Sequence, residues 1–164
     1  VFVTHDQGEA LAMSDQIAVM SAGAVRQIGS PEEIYTAPRS RFVADFIGDT
    51  NIVNAALLGF EGDKASIRFG DGPPLTVHTA STTLVPGPVH VALRPETIRI
   101  VDEGADSALL RGTVIDSTYF GAGSQMRVLL EDGVEVHVQV ATPQPVGKRV
   151  GLECDTAMLH VLED

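Results

Sequence analysis

Hydrophobic and polar positions follow two different periods along the chain, and the change falls near residue 50. From Asn51 onward, apolar residues occupy every second position in short runs that Gly, Pro and Asp separate, which is typical of β-strands. Ten strands are predicted near residues 51–58, 65–69, 75–78, 89–93, 97–101, 111–119, 125–130, 134–140, 149–154 and 157–162. The second region is therefore predicted to be a compact all-β unit.

The first fifty residues carry the start signals of short helices. Asp6 with Glu9 and Ser30 with Glu33 have the spacing of capping boxes, and Ser40 can cap a third helix. The prediction is a helix from about residue 6 to 13, strands over 16–20 and 24–28, and helices that begin after residues 30 and 40. The third helix should carry one apolar stripe and end at a glycine, with the residues Phe42, Val43, Phe46, Ile47 and Gly48.

A weak internal repeat runs through the all-β region. Residues 65–72 align with residues 126–133 at an offset of 61, and each copy precedes an alternating strand, a Pro/Gly loop and another apolar strand. Two half-barrels in tandem would close their edges against each other, so that no strand edge stays unpaired. A chance similarity between two hairpins is the alternative.

Charge and aromatic content argue against nucleic acid as a partner. The net charge is −11, and the eleven Lys and Arg residues are scattered along the chain. A phosphate backbone would be repelled, and two Tyr and six Phe offer few rings on which bases could stack. No apolar run approaches the roughly 18 residues of a membrane-spanning helix.

Cysteine, histidine and serine positions give no sign of a metal centre or a hydrolase site. Cys154 is the single cysteine, which excludes an internal disulfide and leaves a thiolate metal site without companion ligands. Four histidines lie in or beside predicted strands without helical i, i+4 spacing, which favours packing roles, namely His78, His90, His137 and His160. Three hydroxyl residues lack a nucleophile motif and are predicted to lie in a loop, namely Ser81, Thr82 and Thr83.

At the start of the chain an apolar run leads to a histidine and a helix start, with the residues Val1-Phe2-Val3-Thr4-His5-Asp6-Gln7, Glu9-Ala10-Leu11 and Met13-Ser14-Asp15. This stretch resembles the switch-histidine segment of ABC transporter ATPases. The resemblance continues in order through Ile17-Ala18-Val19-Met20, Gly23, Gln27, Gly29, Pro31, Glu33-Ile34-Tyr35, Pro38, Phe42-Val43-Ala44 and Phe46-Ile47-Gly48. It implies that a buried strand delivers His5 to a helix start, where the imidazole contacts the terminal phosphate of ATP in the full-length parent. Gly8 departs from the acidic residue common in the family.

The second region contains the motif Leu93-Arg94-Pro95-Glu96. This motif resembles the signature of TOBE, an OB-like accessory barrel of these ATPases. Further matching stretches are Gly112-Thr113-Val114, Tyr119-Phe120-Gly121, Asp132-Gly133 and Met158-Leu159-His160-Val161-Leu162. Because Pro95 forces an extended backbone before it, the Arg94 and Glu96 pair is expected to brace the barrel.

The resemblance implies a mainly β fold: an OB-like TOBE barrel of two similar halves over residues 51–164, after a short α/β remnant of an ABC ATPase domain over residues 1–50. The implied function is the regulatory, dimer-stabilising C-terminal region of the ATP-binding subunit of an ABC importer. The string at residues 46–51 looks most similar to polyamine-type importers of spermidine and putrescine. The alternative is a barrel that senses a small molecule or an oxyanion, with a backbone nest at Gly121-Ala122-Gly123-Ser124.

The resemblance also sets the expected chemistry and partners. Walker A, Walker B and signature motifs are missing from the sequence, and Gly147-Lys148 is followed by Arg149, so no ATPase activity is expected of this fragment. No cofactor is expected in it, whereas ATP and Mg²⁺ would bind the full-length parent, and the apolar start at Val1 suggests that part of the protein lies upstream. Expected partners are a second barrel in a homodimer, transmembrane permease subunits and a small-molecule regulator. The expected location is cytoplasmic, peripheral on the inner face of the cell membrane.

Overall fold

The first region forms three short helices around a two-stranded hairpin. The structure is a computed structural model that describes residues 1–79 and 84–164. The elements are α1 (Gln7–Met13), β1 (Ile17–Ser21), β2 (Ala24–Gly29), α2 (Pro31–Thr36) and α3 (Arg41–Phe46). None of the described helices is long and apolar enough to cross a membrane.

Side-chain caps start all three helices, as predicted. The Asp6 carboxylate accepts from the amide of Glu9 at 3.0 Å, and the Ser30 hydroxyl accepts from that of Glu33 at 3.2 Å. Only the second pair is a complete capping box, in which the Glu33 carboxylate also accepts from the backbone of Ser30. The Glu9 carboxylate instead accepts from the hydroxyl of Thr4, so the reciprocal bond predicted for the first box is wrong. These caps satisfy amide groups that have no partner within the helix.

The apolar stripe predicted on α3 is split between two faces. Val43 and Ile47 are buried in a small core with Ile17, Val19 and Ile34. The rings of Phe42 and Phe46 are about one-third exposed and stack with their centroids 5.7 Å apart. Positions 42 and 46 are four apart and share one face of the helix, whereas positions 43 and 47 share the neighbouring face.

The start of the chain does not form the buried strand that the family resemblance implies. Residues 1–4 have no regular structure, and the side chains of Val1, Phe2 and Val3 are exposed. His5 lies in an exposed bend before α1. In the described residues the only sheet of the first region is the β1–β2 hairpin, and this segment does not pair with it. The expected delivery of His5 by a strand is therefore not seen.

Ten strands build the described part of the second region, which is the predicted number. They are β3 (Asn51–Glu61), β4 (Lys64–Arg68), β5 (Leu75–His78), β6 (Gly87–Leu93), β7 (Ile98–Val101), β8 (Leu110–Tyr119), β9 (Ser124–Leu130), β10 (Glu135–Val140), β11 (Arg149–Cys154) and β12 (His160–Val161). Asp132 and Gly133 lie in the turn between β9 and β10, where Gly133 has a φ of 87°. The Asp-Gly signal predicted a tight primed turn with positive φ at both residues, but Asp132 has no positive φ, so only the glycine adopts the predicted conformation.

The ten strands form two five-stranded antiparallel sheets that exchange their last strands. One sheet has the order β12-β6-β3-β4-β5, and the other has the order β10-β9-β8-β11-β7. Strand β7 follows β6 in the chain but pairs with β11, and β12 follows β11 but pairs with β6. Each half of the region therefore completes the sheet of the other half.

The two halves repeat with the predicted offset of 61 residues. Two 3-10 turns, Pro95–Thr97 and Thr156–Met158, lie that far apart, and β4, β5 and β6 recur at the same offset as β9, β10 and β11. The inward-facing side chains of both sheets form one apolar core, in which Ile67 and its equivalent Val128 are both fully buried. The fold is a mainly β, OB-like barrel of two similar halves, as the sequence predicts.

Candidate functional site

Arg94 lies where the barrel meets the first region. Strand β6 ends one residue before it, and Pro95 begins a 3-10 turn after it. Only 7% of Arg94 is exposed. A buried guanidinium is stable only when hydrogen-bond acceptors surround it. Arg94 was predicted to belong to the barrel motif, and its partners show what it does there.

The acceptors of Arg94 belong to α2 and to the segment between α3 and β3. Nη2 and Nε of Arg94 donate to the carbonyl of Tyr35 at 2.7 and 3.2 Å, near the end of α2. Nη1 donates to the carbonyls of Gly48 and Asp49 at 3.4 and 3.2 Å, and it also contacts the hydroxyl of Thr50. Carbonyls at the end of a helix lack partners within it, so they suit a planar cation with several donors.

Tyr35 joins Arg94 to Glu96. The guanidinium carbon of Arg94 lies 4.0 Å from the centroid of the Tyr35 ring, which is a cation–π contact. The Tyr35 hydroxyl donates to a carboxylate oxygen of Glu96 at 2.6 Å. The motif was expected to brace the barrel itself. Its two charged residues instead meet at Tyr35 and fasten the barrel to the first region. We call Arg94, Tyr35 and Glu96 the clasp.

Burial and neighbouring charge shift the protonation equilibria of the clasp. Burial lowers the pKa of Arg94, although the carbonyl acceptors keep the guanidinium in its charged form. Burial raises the pKa of Tyr35, and the hydrogen bond to Glu96 raises it further. The ring hydroxyl therefore stays protonated and able to donate at neutral pH.

A second contact joins the end of the barrel to α3. The amide of Glu163 donates to the carbonyl of Arg39 at 2.7 Å, and the amide of Arg41 donates to the carboxylate of Asp164 at 2.6 Å. A small apolar cluster lies beside these bonds and consists of Ala44, Ala92 and Leu162, with Ile52 packed against it. The joint between the two regions thus combines the clasp, this tail contact and a small apolar patch.

His160 lies beside the clasp in β12 and should make stability depend on pH. Burial, followed by the charge of Arg94, lowers the pKa of His160 below its ordinary value of 6.5. As pH falls below 6.5, His160 therefore becomes protonated in the unfolded chain before it does in the folded protein. The free energy of unfolding decreases from that pH down to the pKa of His160 in the folded protein. Between pH 7.5 and 5.5, we expect the free energy of unfolding of His160→Gln to decrease less than that of the wild type, as measured by urea titration. Equal losses in both proteins would contradict this.

A cleft of about 890 Å³ lies between the two halves of the barrel. The turn at Gly70 and Asp71 and the equivalent turn at Glu131 and Asp132 both line it. Its charged lining residues are of both signs, namely Arg68, Asp71, Arg111, Glu131 and Asp132, and its apolar walls include Phe69, Leu109, Leu110 and Leu130. The cleft is large enough for a small organic molecule.

Other residues singled out from the sequence lie elsewhere. The glycine-rich segment at 121–123 forms the tip of the β8–β9 hairpin, outside the lining of the cleft. The amide of Phe120 there donates to the carbonyl of Gly123 at 3.0 Å. Ser81, Thr82 and Thr83, which were predicted to lie in a loop, are outside the described residues. Cys154 is buried, which raises its pKa to about 12 and keeps the thiol protonated. Within 1–79 and 84–164, no three His, Cys, Asp or Glu residues form a metal-binding cluster.

Three residues with long-range contacts were not singled out as site residues from the sequence. Tyr35 and Thr50 complete the surroundings of Arg94 in the joint, and Asn51 links the two halves of the barrel. Tyr35 lies in a stretch that matches the family pattern, but nothing in a linear pattern tells which distant residue it contacts. Thr50 and Asn51 share one signal, a polar residue at the boundary between the two regions, whereas Tyr35 lies within α2 and has no such signal.

The fold and the sequence together define the class of protein. Residues 91–162 match the TOBE domain family. Over its whole length the chain corresponds to the C-terminal region of the ATP-binding subunits of ABC importers. The family inferred from the sequence is therefore confirmed.

Three curated relatives illustrate the match. The chain is 44% identical to the spermidine/putrescine import ATP-binding protein PotA of Ruegeria pomeroyi, with 100% of this chain and 45% of the relative covered. It is 40% identical to PotA 1 of Pseudomonas aeruginosa, with 100% and 43% covered. It is 35% identical to the Fe(3+) ions import ATP-binding protein FbpC of Brucella abortus, with 99% and 45% covered. The chain thus spans a little less than half the length of these relatives.

A solved structure shares the fold. The cytoplasmic molybdate-binding protein ModG, solved with molybdate bound, superposes with a TM-score of 0.55 at 18% identity. The superposition covers 66% of this chain and 92% of ModG. At this identity the likeness supports the OB-like fold alone.

Proposed function

We propose that this chain is the regulatory, dimer-stabilising C-terminal region of the ATP-binding subunit of a polyamine-type ABC importer. The observation that carries the proposal is the match over the whole chain to relatives described as spermidine/putrescine import ATP-binding proteins. The string at residues 46–51 supports the same substrate class. On this proposal the chain itself hydrolyses no ATP, because its sequence lacks a phosphate-binding glycine loop.

The rest of the proposal concerns the complete importer. ATP and Mg²⁺ would bind the remainder of the subunit, and His5 would contact the terminal phosphate there. The subunit would lie in the cytoplasm against permease subunits in the membrane, with a second copy beside it. The joint supports a regulatory role, because Arg94 connects the barrel directly to helices that follow the switch-histidine segment.

Transport assays test the substrate class. The gene that encodes this chain would be deleted in its host, and uptake of labelled spermidine, putrescine and ferric iron would be measured. We expect polyamine uptake to be lost and restored by the intact gene, whereas iron uptake stays unchanged. Loss of iron uptake alone would contradict the polyamine assignment.

Sedimentation velocity over a range of concentrations tests the dimer. The net charge of −11 opposes association of two copies, and salt screens that repulsion. We expect a monomer–dimer equilibrium that shifts toward the dimer as ionic strength rises. A chain that stays monomeric at millimolar concentration and high salt would contradict the dimer-stabilising role.

A second candidate function is the sensing of a small molecule, and the cleft between the two halves favours it. Its mixed charges and apolar walls suit a small polar molecule with a hydrocarbon portion. Titration calorimetry with spermidine, sulfate, molybdate and a sugar would detect such a ligand. Heat with one of them that Asp71→Asn or Arg68→Gln abolishes would support sensing in the cleft, and no heat with any of them would favour a scaffold.

A further inference from the structure

The two regions have separate hydrophobic cores. The core of the first region consists of Ile17, Val19, Ile34, Val43 and Ile47. The core of the barrel is formed by residues of β3 to β12 and shares no member with the first. A region with its own core can keep its fold when its contact with a neighbour is lost.

Polar contacts dominate the joint between these cores. The apolar patch that links the regions contains three buried residues, of which two are alanines, Ala44 and Ala92. Arg94, by contrast, donates hydrogen bonds to acceptors on Tyr35, Gly48, Asp49 and Thr50. The strength of the joint therefore depends more on one side chain than on buried apolar area.

Water can replace the contacts of Arg94 more readily than it can replace a hydrophobic core. Carbonyls at the end of a helix are ordinarily satisfied by water, and so is a free guanidinium. The Tyr35–Glu96 bond is already exposed at the surface of the joint. Opening the joint would therefore exchange hydrogen bonds within the protein for hydrogen bonds with solvent, and both cores would stay intact.

We propose that Arg94, Tyr35 and Glu96 form a conformational latch that fixes the orientation of the barrel on α2 and α3, and that the latch opens without unfolding either region. Arg94 is the central residue because its guanidinium reaches the ends of both helices. Tyr35 covers one face of that guanidinium and connects it to Glu96. This inference concerns the joint itself and does not depend on which solute the importer carries.

The geometry also defines what the latch controls. When it is closed, α2 and α3 are held to the strand end at Leu93, so a rotation of the barrel moves both helices. When it is open, the covalent connection at Asp49 and Thr50, the tail contact at Arg39 and Arg41, and the small apolar patch beside that contact remain. The barrel could then turn on these remaining connections.

Hydrogen exchange measured by mass spectrometry on the whole chain tests the latch. In Arg94→Met, we expect amides in α2 and α3 to exchange about tenfold faster, whereas amides in β8 and β9 keep their rates. Arg94→Lys should fall between Arg94→Met and the wild type, because one ammonium cannot reach both helix ends as the planar guanidinium does. Arg99→Met is the matched control, since Arg99 is five residues further on and largely exposed.

Two outcomes would overturn the proposal. Faster exchange throughout the barrel would show that Arg94 stabilises the barrel fold itself and not a separable joint. Unchanged exchange in α2 and α3 would show that the clasp does not restrain these helices. Tyr35→Phe keeps the proposal testable if Arg94→Met does not fold, because it removes only the exposed bond to Glu96. It should raise exchange in α2 alone, and a rate equal to that of the wild type would count against the latch.

Discussion

Replacement of Gly112 by alanine is expected to destabilise the barrel by about 3 kcal/mol, because the added methyl group meets the neighbouring strand. A Cβ at this position would lie 2.5 Å from the carbonyl oxygen of Leu129 and 2.8 Å from a methyl group of Val128. Gly112 lies in β8, which pairs with both β9 and β11, so neither neighbour can move aside without disturbing the sheet. Urea denaturation followed by circular dichroism would measure the change.

Gly59→Ala is the matched control for this prediction. Gly59 also lies in a strand, β3, but a Cβ there would have no heavy atom within 4 Å. The same chemical change should therefore alter the free energy of unfolding by less than about 1 kcal/mol. If Gly59→Ala cost as much as Gly112→Ala, close packing against Leu129 could not be the cause.

The strands were predictable because alternation and turn residues are local signals. Each strand lies within three residues of its predicted bounds. The last strand differs most: a strand was expected over 157–162, but only His160–Val161 forms one. The Asp155 carboxylate accepts from the amide of Ala157 and starts a 3-10 turn over Thr156–Met158. Such a cap competes with extended structure and is hard to recognise inside an apolar run.

The exchange of strands between the two halves was not predictable from local pattern. The repeat at an offset of 61 indicated two similar halves, but the period of a strand does not tell which neighbour it pairs with. Strand β7 could pair with β6 in its own half or cross to β11, and both choices bury the same alternate side chains. The pairing partner of β7 is determined by contacts between residues far apart in the sequence.

The contacts of the clasp were likewise not predictable from local sequence pattern. The sequence identified Arg94 and Glu96 through a family motif and suggested that they act within the barrel. Their shared partner Tyr35 is 59 residues from Arg94, and no spacing rule connects them. Helix caps were predictable because cap and helix are adjacent, whereas a joint between two regions depends on how those regions meet.

The first residues of the chain differ from the family pattern for another reason. A run of Val1, Phe2 and Val3 has the composition of a buried strand, and the family resemblance placed one there. A strand needs a partner for its backbone groups, and in the described residues this segment has none. The prediction about His5 and ATP therefore stays a prediction about the larger protein.

Asn51 connects the two halves of the barrel. Among the polar side chains of the barrel, we expect the removal of this one to reduce the free energy of unfolding most. It is 5% exposed and lies at the start of β3. Its side-chain amide donates to the carbonyl of His137 at 2.8 Å, and its side-chain oxygen accepts from the amide of His137 at 2.7 Å. The side chain thus acts as a neighbouring strand would for β10, the outer strand of its sheet.

We expect Asn51→Ala to destabilise the protein by about 2 to 4 kcal/mol, because it leaves both backbone groups of His137 without these partners at a half-buried position. Urea denaturation would measure the loss, and exchange of the His137 amide should accelerate. Asn54→Ala is the matched control: it changes the same residue type in the same strand, but its bond to Asp132 is exposed. Since water replaces an exposed bond, Asn54→Ala should cost less than about 1 kcal/mol, and equal losses in the two variants would show that Asn51 does not hold the halves together.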